Sequence, residues 1–338
     1  MTSNNFLQNC LKLISLNKQQ CEDYRNYLNS QKINLKQIKK IEDLPFLHIN
    51  QFKKRKLLSI PKNEIFKIIQ SSGTSGSEPS KIYIDKKSAS KQQKILNMSM
   101  HPITKGKRKP MIIFESRLSN NLNKNSFNAS KAAVIGFSVF GKDYLYPRKS
   151  NNQLDYRKLN LFLKRYQDFE IIIFGFTANI YEYLIKKLKK KKLNYNLSNS
   201  IIIHGGGWKK LSNLKISKKK FEKLIYKKYK IKKIFNYYGM VEQIGSVFFQ
   251  CGECGYFHEN DNTKVIVRDE NLNSVGKNKK GFLQLVSTVP ESYPGNSLLT
   301  EDYARIVDVK CSKSKKFKQF EILGRVERAE IRGCSDVN

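Results

Sequence analysis

Residues 71–81 read Ser71-Ser72-Gly73-Thr74-Ser75-Gly76-Ser77-Glu78-Pro79-Ser80-Lys81. Nothing apolar is available here to pack, and small hydroxyl, glycine and proline residues favour turns, so the segment is a loop. Its flanks are apolar and β-prone: Phe66-Lys67-Ile68-Ile69 before it and Lys81-Ile82-Tyr83-Ile84 after it. Both flanks read as strands, so the loop joins two strands and does not open a long helix. Glycine lets backbone N–H groups approach an anion. The hydroxyls of Ser72, Thr74 and Ser75 can donate to phosphate oxygens, and Lys81 can neutralise charge. The spacing is not that of the GxxxxGK[ST] loop, and a plain surface hairpin is the competing reading of the segment by itself.

On the N-terminal side, residues 5–29 have mixed helical periodicity, marked by Phe6, Leu13, Cys21, Tyr24 and Leu28. A basic stretch carrying Pro45 follows. On the C-terminal side a polar helix reaches about Met98, and then apolar runs alternate with helical patterns. Residues 111–114, 132–140, 171–174 and 201–203 read as buried strands, and residues 154–169, 177–191 and 218–230 as helices. This alternation predicts an α/β domain with a mainly parallel central sheet and helices on its faces. Beyond Ile234-Phe235-Asn236-Tyr237, short strands with turn punctuation (residues 264–268, 282–288, 304–308 and 317–323) predict a smaller antiparallel sheet. The expected organisation is an N-terminal helical segment over 1–60, a core over 61–322 and a tail over 323–338.

The chain has 338 residues, of which 39% are hydrophobic and 11% aromatic, ample for a packed core. Six cysteines are too few for a disulfide scaffold of this length. The first residues are polar and broken by Asn and Lys, unlike a signal peptide. The longest apolar runs fall far short of a membrane span. A cytoplasmic setting with reduced thiols is expected. The net charge of +36 invites a nucleic-acid reading, but only 12 of the 64 basic residues are Arg. Dedicated nucleic-acid readers lean on the planar Arg fork, and the Lys clusters here are scattered, so no specific nucleic-acid function is expected.

Further motifs lie downstream: Asn236-Tyr237-Tyr238-Gly239-Met240-Val241-Glu242, Thr300-Glu301-Asp302 and Leu323-Gly324-Arg325. Together with the Ser/Thr/Gly loop and Lys81, in this order, they resemble the adenylate-forming (acyl-activating) superfamily. Within it the chain resembles the phenylacetate-CoA ligase branch, and most closely the acyl-protein synthetases of bacterial bioluminescence. His204-Gly205-Gly206-Gly207-Trp208-Lys209-Lys210 and Gly239-Met240-Val241-Glu242-Gln243-Ile244-Gly245 carry that closer likeness, which runs from about Phe46 to the C-terminus. The resemblance implies an ATP-dependent ligase that forms an acyl-adenylate and passes the acyl group to a thiol. By it, Ser71, Ser72, Gly73, Thr74, Ser75, Gly76 and Lys81 hold the β- and γ-phosphates of ATP. Gly205, Gly206 and Gly207 line the adenine pocket, with Tyr238 stacking, Tyr237 beside it and Gly239 following. Glu242 reaches Mg²⁺, Asp302 accepts from the ribose hydroxyls, and Arg325 contacts ribose or the α-phosphate. Phe137, Gly175 and Phe176 are candidates for the acyl pocket, and His204 for orienting the substrate carboxylate.

The superfamily's mobile C-terminal domain, with its adenylation lysine, is expected to be absent. Lys209 or Lys210 would then give electrophilic help, or a partner would complete the site. Glu327 and Arg328 stand where the family's hinge acid pair is usual. The tail reads Arg332-Gly333-Cys334-Ser335. The resemblance implies acylation of Cys334, and Arg328 and Arg332 would favour its thiolate. The implied partners are a carboxylic acid, a fatty acid foremost, and an acyl-accepting protein such as an acyl reductase or a carrier protein. Two other readings stay open: a ligase using CoA or a carrier thiol, and a nucleotide-binding scaffold without catalysis. Finally, Cys251-Gly252-Glu253-Cys254-Gly255-Tyr256-Phe257-His258 has metal-ligand spacing. With Cys311, as in the Cys- and His-bearing relatives, it implies a closed structural zinc site, and four groups without metal are the alternative.

Overall fold

The computed structural model describes residues 3–71, 79–117, 128–188, 196–207, 216–313 and 316–325. The chain opens with α1 (Ser3–Gln20), α2 (Glu22–Ser30), a two-residue strand β1 (Leu47–His48) and the short helix α3 (Gln51–Lys54). The strands β2 (Lys67–Gln70) and β3 (Lys81–Ile84) follow, then α4 (Lys86–Thr104). Strands and helices next alternate: β4 (Lys109–Ile113), α5 (Ala129–Ser138), β5 (Gly141–Leu145), α6 (Tyr156–Arg165) and β6 (Ile172–Phe176). A helix then begins as α7 (Thr177–Asn179) and continues in π form over Ile180–Lys187, before β7 (Ile201–Gly205), α8 (Lys218–Tyr229) and β8 (Lys233–Gly239). The remainder is strands: β9 (Val247–Phe249), β10 (Phe257–His258), β11 (Thr263–Arg268), β12 (Lys280–Ser287), β13 (Ser297–Val307) and β14 (Gln319–Arg325).

The chain divides into two compact units, one of Met1–Leu96, Asn123–Ala129 and Gly239–Asn338, the other of Asn97–Leu122 and Ser130–Tyr238. The second unit holds the parallel strands, in the order β5-β4-β6-β7-β8. A parallel sheet needs cover on both faces, and its inner strands therefore read as continuous apolar runs. Ile201, Ile202 and Ile203 of β7 are fully buried. Around Ile202 pack Leu159 and Leu163 of α6, Tyr183 and Leu184 of the π segment, and Phe221 and Ile225 of α8. Local signals start these helices. The Asp155 carboxylate accepts from the N–H of Lys158, and the Ser217 hydroxyl oxygen accepts from that of Lys220. Lys230, in a left-handed conformation, ends α8.

One predicted strand is a helix. Residues 132–140 read as a buried strand, but Ala129–Ser138 is α5. Only Val134 and Phe137 of this helix are buried, three residues apart, which is helical spacing. The run Ala132-Ala133 has the strongest helix preference available, and a short apolar run does not by its period distinguish strand from buried helix. The strand position is taken by β5, whose alternating exposure suits an edge.

In the first unit, β2 and β3 pair antiparallel, with Gln70 opposite Lys81. The main sheet runs β10-β14-β13-β12-β11, and β1 pairs parallel with β13 at Leu298 and Leu299. Its six strands make it larger than the small sheet expected, because β1 from the N-terminal segment and β10 join it. Residues 5–29 form two helices, separated at Cys21.

Replacing Ile202 with Ala removes a fully buried side chain from the middle of the parallel sheet. It should cost about 2–5 kcal/mol of unfolding free energy, measured as a lowered urea midpoint. Leu161→Ala, on the exposed face of α6, should leave the midpoint nearly unchanged.

Candidate active site

In the second unit the C-terminal ends of neighbouring parallel strands lie side by side, where open α/β sheets bind ligands. Gly175 stands opposite His204, Phe176 opposite Gly205, His204 opposite Asn236 and Gly205 opposite Tyr237. The structure thus brings together His204, Gly205, Gly206, Gly207, Tyr237, Phe176 and Gly175 at one sheet edge. The glycines are there for distinct reasons. A Cβ on Gly205 would come 2.6 Å from the Tyr237 carbonyl oxygen. One on Gly206, which sits at φ +72°, would come 2.6 Å from the Phe176 ring. Gly207 has open space around it. Tyr237 is a core residue, its ring 4.8 Å from that of Phe137 and 6.3 Å from that of Phe174. Tyr238 is half-buried.

His204 is buried, and its Nδ1 lies 2.9 Å from Thr177 Oγ1. The single hydroxyl hydrogen of Thr177 goes to the Gly205 carbonyl at 3.0 Å. The hydroxyl oxygen must therefore accept, which assigns a hydrogen to Nδ1 of the imidazole. Burial, aided by the charge of Lys218, holds the His204 pKa down at about 3. The ring is neutral near pH 7 and has the wrong pKa for acid–base work there. Beside this group stands Glu115, buried and unforeseen in the sequence reading. It accepts from the Phe176 N–H at 2.8 Å and from the Asn179 amide at 2.8 and 2.9 Å. The sole signal for it was an acid directly after the apolar run 111–114.

In the first unit the two ends of the 71–80 segment are hydrogen-bonded to each other. Ser71 N–H donates to the Ser80 carbonyl at 3.0 Å, and Ser80 N–H donates to Ser71 Oγ at 2.9 Å. Lys81 is exposed at its foot. Ser72, Gly73, Thr74, Ser75 and Gly76 lie outside the described residues, as do Lys209, Lys210, Glu327, Arg328, Arg332 and Cys334. Glu242 is buried, and burial raises its pKa; the Ser80 hydroxyl and the charges of Arg325 and Lys53 act in the opposite direction. Asp302 and Arg325 face one another across β13 and β14, with Nε 3.8 Å from Oδ1. Gln243, also unforeseen, pins the turn that follows the exposed Gly239. Its amide donates to the carbonyls of Leu285 (3.0 Å) and Gly295 (2.9 Å), and it accepts from Ser246 Oγ at 2.5 Å.

The same unit contains a thiol–imidazole cluster. The ligand atoms of Cys251, Cys254, His258 and Cys311 all lie within 4.8 Å of one another. Cys251 Sγ is 3.7 Å from Cys311 Sγ, and Cys254 Sγ is 3.0 Å from His258 Nε2. The sulfur separation is far beyond the ~2.05 Å of a disulfide. It matches the roughly 3.8 Å between two thiolates at ~2.3 Å from a tetrahedral ion. The donor set therefore fits a four-coordinate metal. Glu253 ties the two loops together, accepting from Ser312 N–H at 2.7 Å and from its hydroxyl at 2.6 Å.

Comparison with known proteins identifies the family. The family model described as "Acyl-protein synthetase, LuxE" matches residues 2–338. The chain belongs to this family. A curated relative, the long-chain-fatty-acid–luciferin-component ligase of Aliivibrio fischeri, is 23% identical over 330 residues, covering 93% of this chain and 82% of that protein. Among solved structures, 2-hydroxyisobutyryl-CoA ligase in an open conformation with 2-HIB-AMP and CoA has a TM-score of 0.73 at 14% identity, covering 96% of this chain and 74% of that one. ATP-bound MatB from Rhodopseudomonas palustris has a TM-score of 0.51 at 11% identity, covering 79% and 49%. At these identities the solved structures establish the adenylate-forming ligase fold. As an acyl-protein synthetase, the chain is an acid–thiol ligase that activates its acid as acyl-AMP and transfers the acyl group to protein. Among its described residues, no helix is long and apolar enough to cross a membrane.

The buried imidazole gives a pH signature. Its unfolded-state pKa is near 6.5 and its folded value about 3. Its stabilising contribution is therefore present above about pH 6.5 and is lost as pH falls toward 3. Between those limits the slope from this group is at most about 1.4 kcal/mol per pH unit. Urea unfolding at a series of pH values should show His204→Gln with a shallower acid-side slope than the wild type.

Proposed function

We propose that the protein converts a long-chain fatty acid and ATP to acyl-AMP, carries the acyl group as a thioester on Cys334, and delivers it to a partner protein such as an acyl reductase. The observation that carries this reading is the family match over residues 2–338. The Aliivibrio relative's name supports both the fatty acid and a protein acceptor. The pairing of Asp302 with Arg325, and the glycine edge at residues 205–207, fit the nucleotide roles that the motifs imply.

In this reading residues 71–76 take the β- and γ-phosphates, with Lys81 adding charge. Tyr238 stacks on adenine, the Asp302 carboxylate accepts from the ribose hydroxyls, and Arg325 keeps that carboxylate oriented. Magnesium, when bound with ATP, offsets phosphate charge, and Glu242, an acidic group kept buried beside two cations, would hold it. The fatty acid's carboxylate oxygen attacks the α-phosphorus and pyrophosphate leaves. The Cys334 thiolate, its proton lost to solvent, then attacks the acyl carbon and AMP leaves. Lys209, nearby in sequence to the glycine run, is the chain's own candidate for electrophilic help. The four-ligand cluster is a structural zinc site, since three thiolates and an imidazole suit zinc and leave no open position for chemistry. Its reduced thiols suit the cytoplasm.

Intact-protein mass spectrometry after incubation with ATP, Mg²⁺ and fatty acids of graded length tests the route. The wild type should gain one hydroxylamine-labile acyl group, and Cys334→Ser none, while both release pyrophosphate. Acylation of Cys334→Ser would remove Cys334 from the route, and pyrophosphate release without any adduct would point to an external thiol such as CoA. Metal analysis should find one zinc per chain, and Cys251→Ser should lose it together with several degrees of melting temperature.

A further inference from the structure

The glycine run at the end of β7 is held by Thr177, a residue that belongs to none of the motifs. We propose that Thr177 and His204 form a positioning pair that aims the backbone N–H of Gly206 for nucleotide binding; this rests on the acyl-adenylate reading above.

The argument is one of peptide geometry. The carbonyl of Gly205 and the N–H of Gly206 belong to one planar trans peptide and point in opposite directions. Fixing the oxygen therefore fixes the N–H. Thr177 Oγ1 donates its only hydrogen to that oxygen at 3.0 Å, so the N–H of Gly206 is turned away from Thr177. A hydroxyl alone could swing to another acceptor. Here it is locked, because His204 Nδ1, 2.9 Å away, occupies its lone pair as a donor. The imidazole is itself confined, buried and with its ring 4.9 Å from that of Phe221. Thr177 opens the helix after β6, and the residue before it is fixed as well. The Phe176 N–H donates to the buried Glu115, and its ring lies where a Cβ on Gly206 would stand. Both side chains that shape the glycine turn thus come from the end of β6. Gly206 and Gly207 are exposed and at φ +72° and +63°, so this backbone is accessible and its direction is set from behind.

Three variants test the pair: Thr177→Val, which keeps the shape and removes the hydroxyl, Thr177→Ser, which keeps the hydroxyl, and His204→Gln. The measurement is ATP affinity by equilibrium dialysis, with KM for ATP and kcat from pyrophosphate exchange. Thr177→Val should bind ATP about tenfold more weakly and raise KM with kcat little changed, while Thr177→Ser stays near wild type. His204→Gln should weaken ATP by a smaller factor and leave the pH profile of exchange between pH 6 and 9 unaltered. Wild-type ATP affinity in Thr177→Val would overturn the proposal. So would equal losses in the Val and Ser variants, which would mean packing, or a changed pH profile in His204→Gln, which would mean acid–base work. A wild type that binds ATP but makes no acyl-adenylate would refute the ligase reading and leave the pair standing. A wild type that binds no ATP would refute both.

Discussion

Burial of β7 on both faces is the constraint from which the second unit follows. A strand of Ile201, Ile202 and Ile203 with no exposed side chain must have helices above and below it, and parallel neighbours to use its backbone groups. Parallel neighbours all end at the same edge. Once that edge exists, residues 175–177, 204–207 and 236–238 come together without any of them being chosen for proximity in sequence. The price of assembling a site in this way is that its backbone ends have to be held by side chains. Thr177, Glu115 and Asn179 serve that purpose.

The first unit depends on one long strand. β13 pairs with β12 along most of its length and with β14 from Asp302 onward, while β1 occupies the side that β14 leaves open at Leu298 and Leu299. The turn after Gly239 is attached to this sheet by Gln243, whose amide spans the carbonyls of Leu285 and Gly295. Tyr293 adds a second tie, its hydroxyl oxygen accepting from the Ile244 N–H at 3.0 Å. Glu242 is therefore held in a rigid frame. Burial raises its pKa, and the charges of Arg325 and Lys53 offset only part of that cost.

Much of this was legible from residue order. The two strands around the 71–80 loop, the alternation of the centre and the Cys251–His258 spacing are local signals, and local signals survive folding. What failed, or was missing, depended on packing between distant segments. The run at 132–140 is equally apolar as strand or helix, and only the neighbouring edge position taken by β5 decides between them. β1 is two residues long and exists because β13 offers an open side. Thr177 and Gln243 have ordinary polar side chains, and their importance comes from which carbonyls they meet. Tyr237 and Tyr238 look alike in sequence, yet alternation along β8 sends one into the aromatic core and leaves the other half-buried.

The four-ligand cluster sits at one end of the β13–β14 hairpin and the Asp302–Arg325 pair at the other. An antiparallel hairpin can slide by two residues and keep every side chain on its proper face, so hydrophobic pattern alone does not resist such a slip. Cys311 lies in the connecting loop, and His258, paired opposite Gln319 at the start of β14, is held to it within the cluster. These ties act on β10 and on the loop that leads into β14, and they favour its observed alignment. A slide of two places would leave Asp302 facing a residue other than Arg325. The cluster thus acts as an index mark, counting residues along a strand for a salt bridge a hairpin's length away.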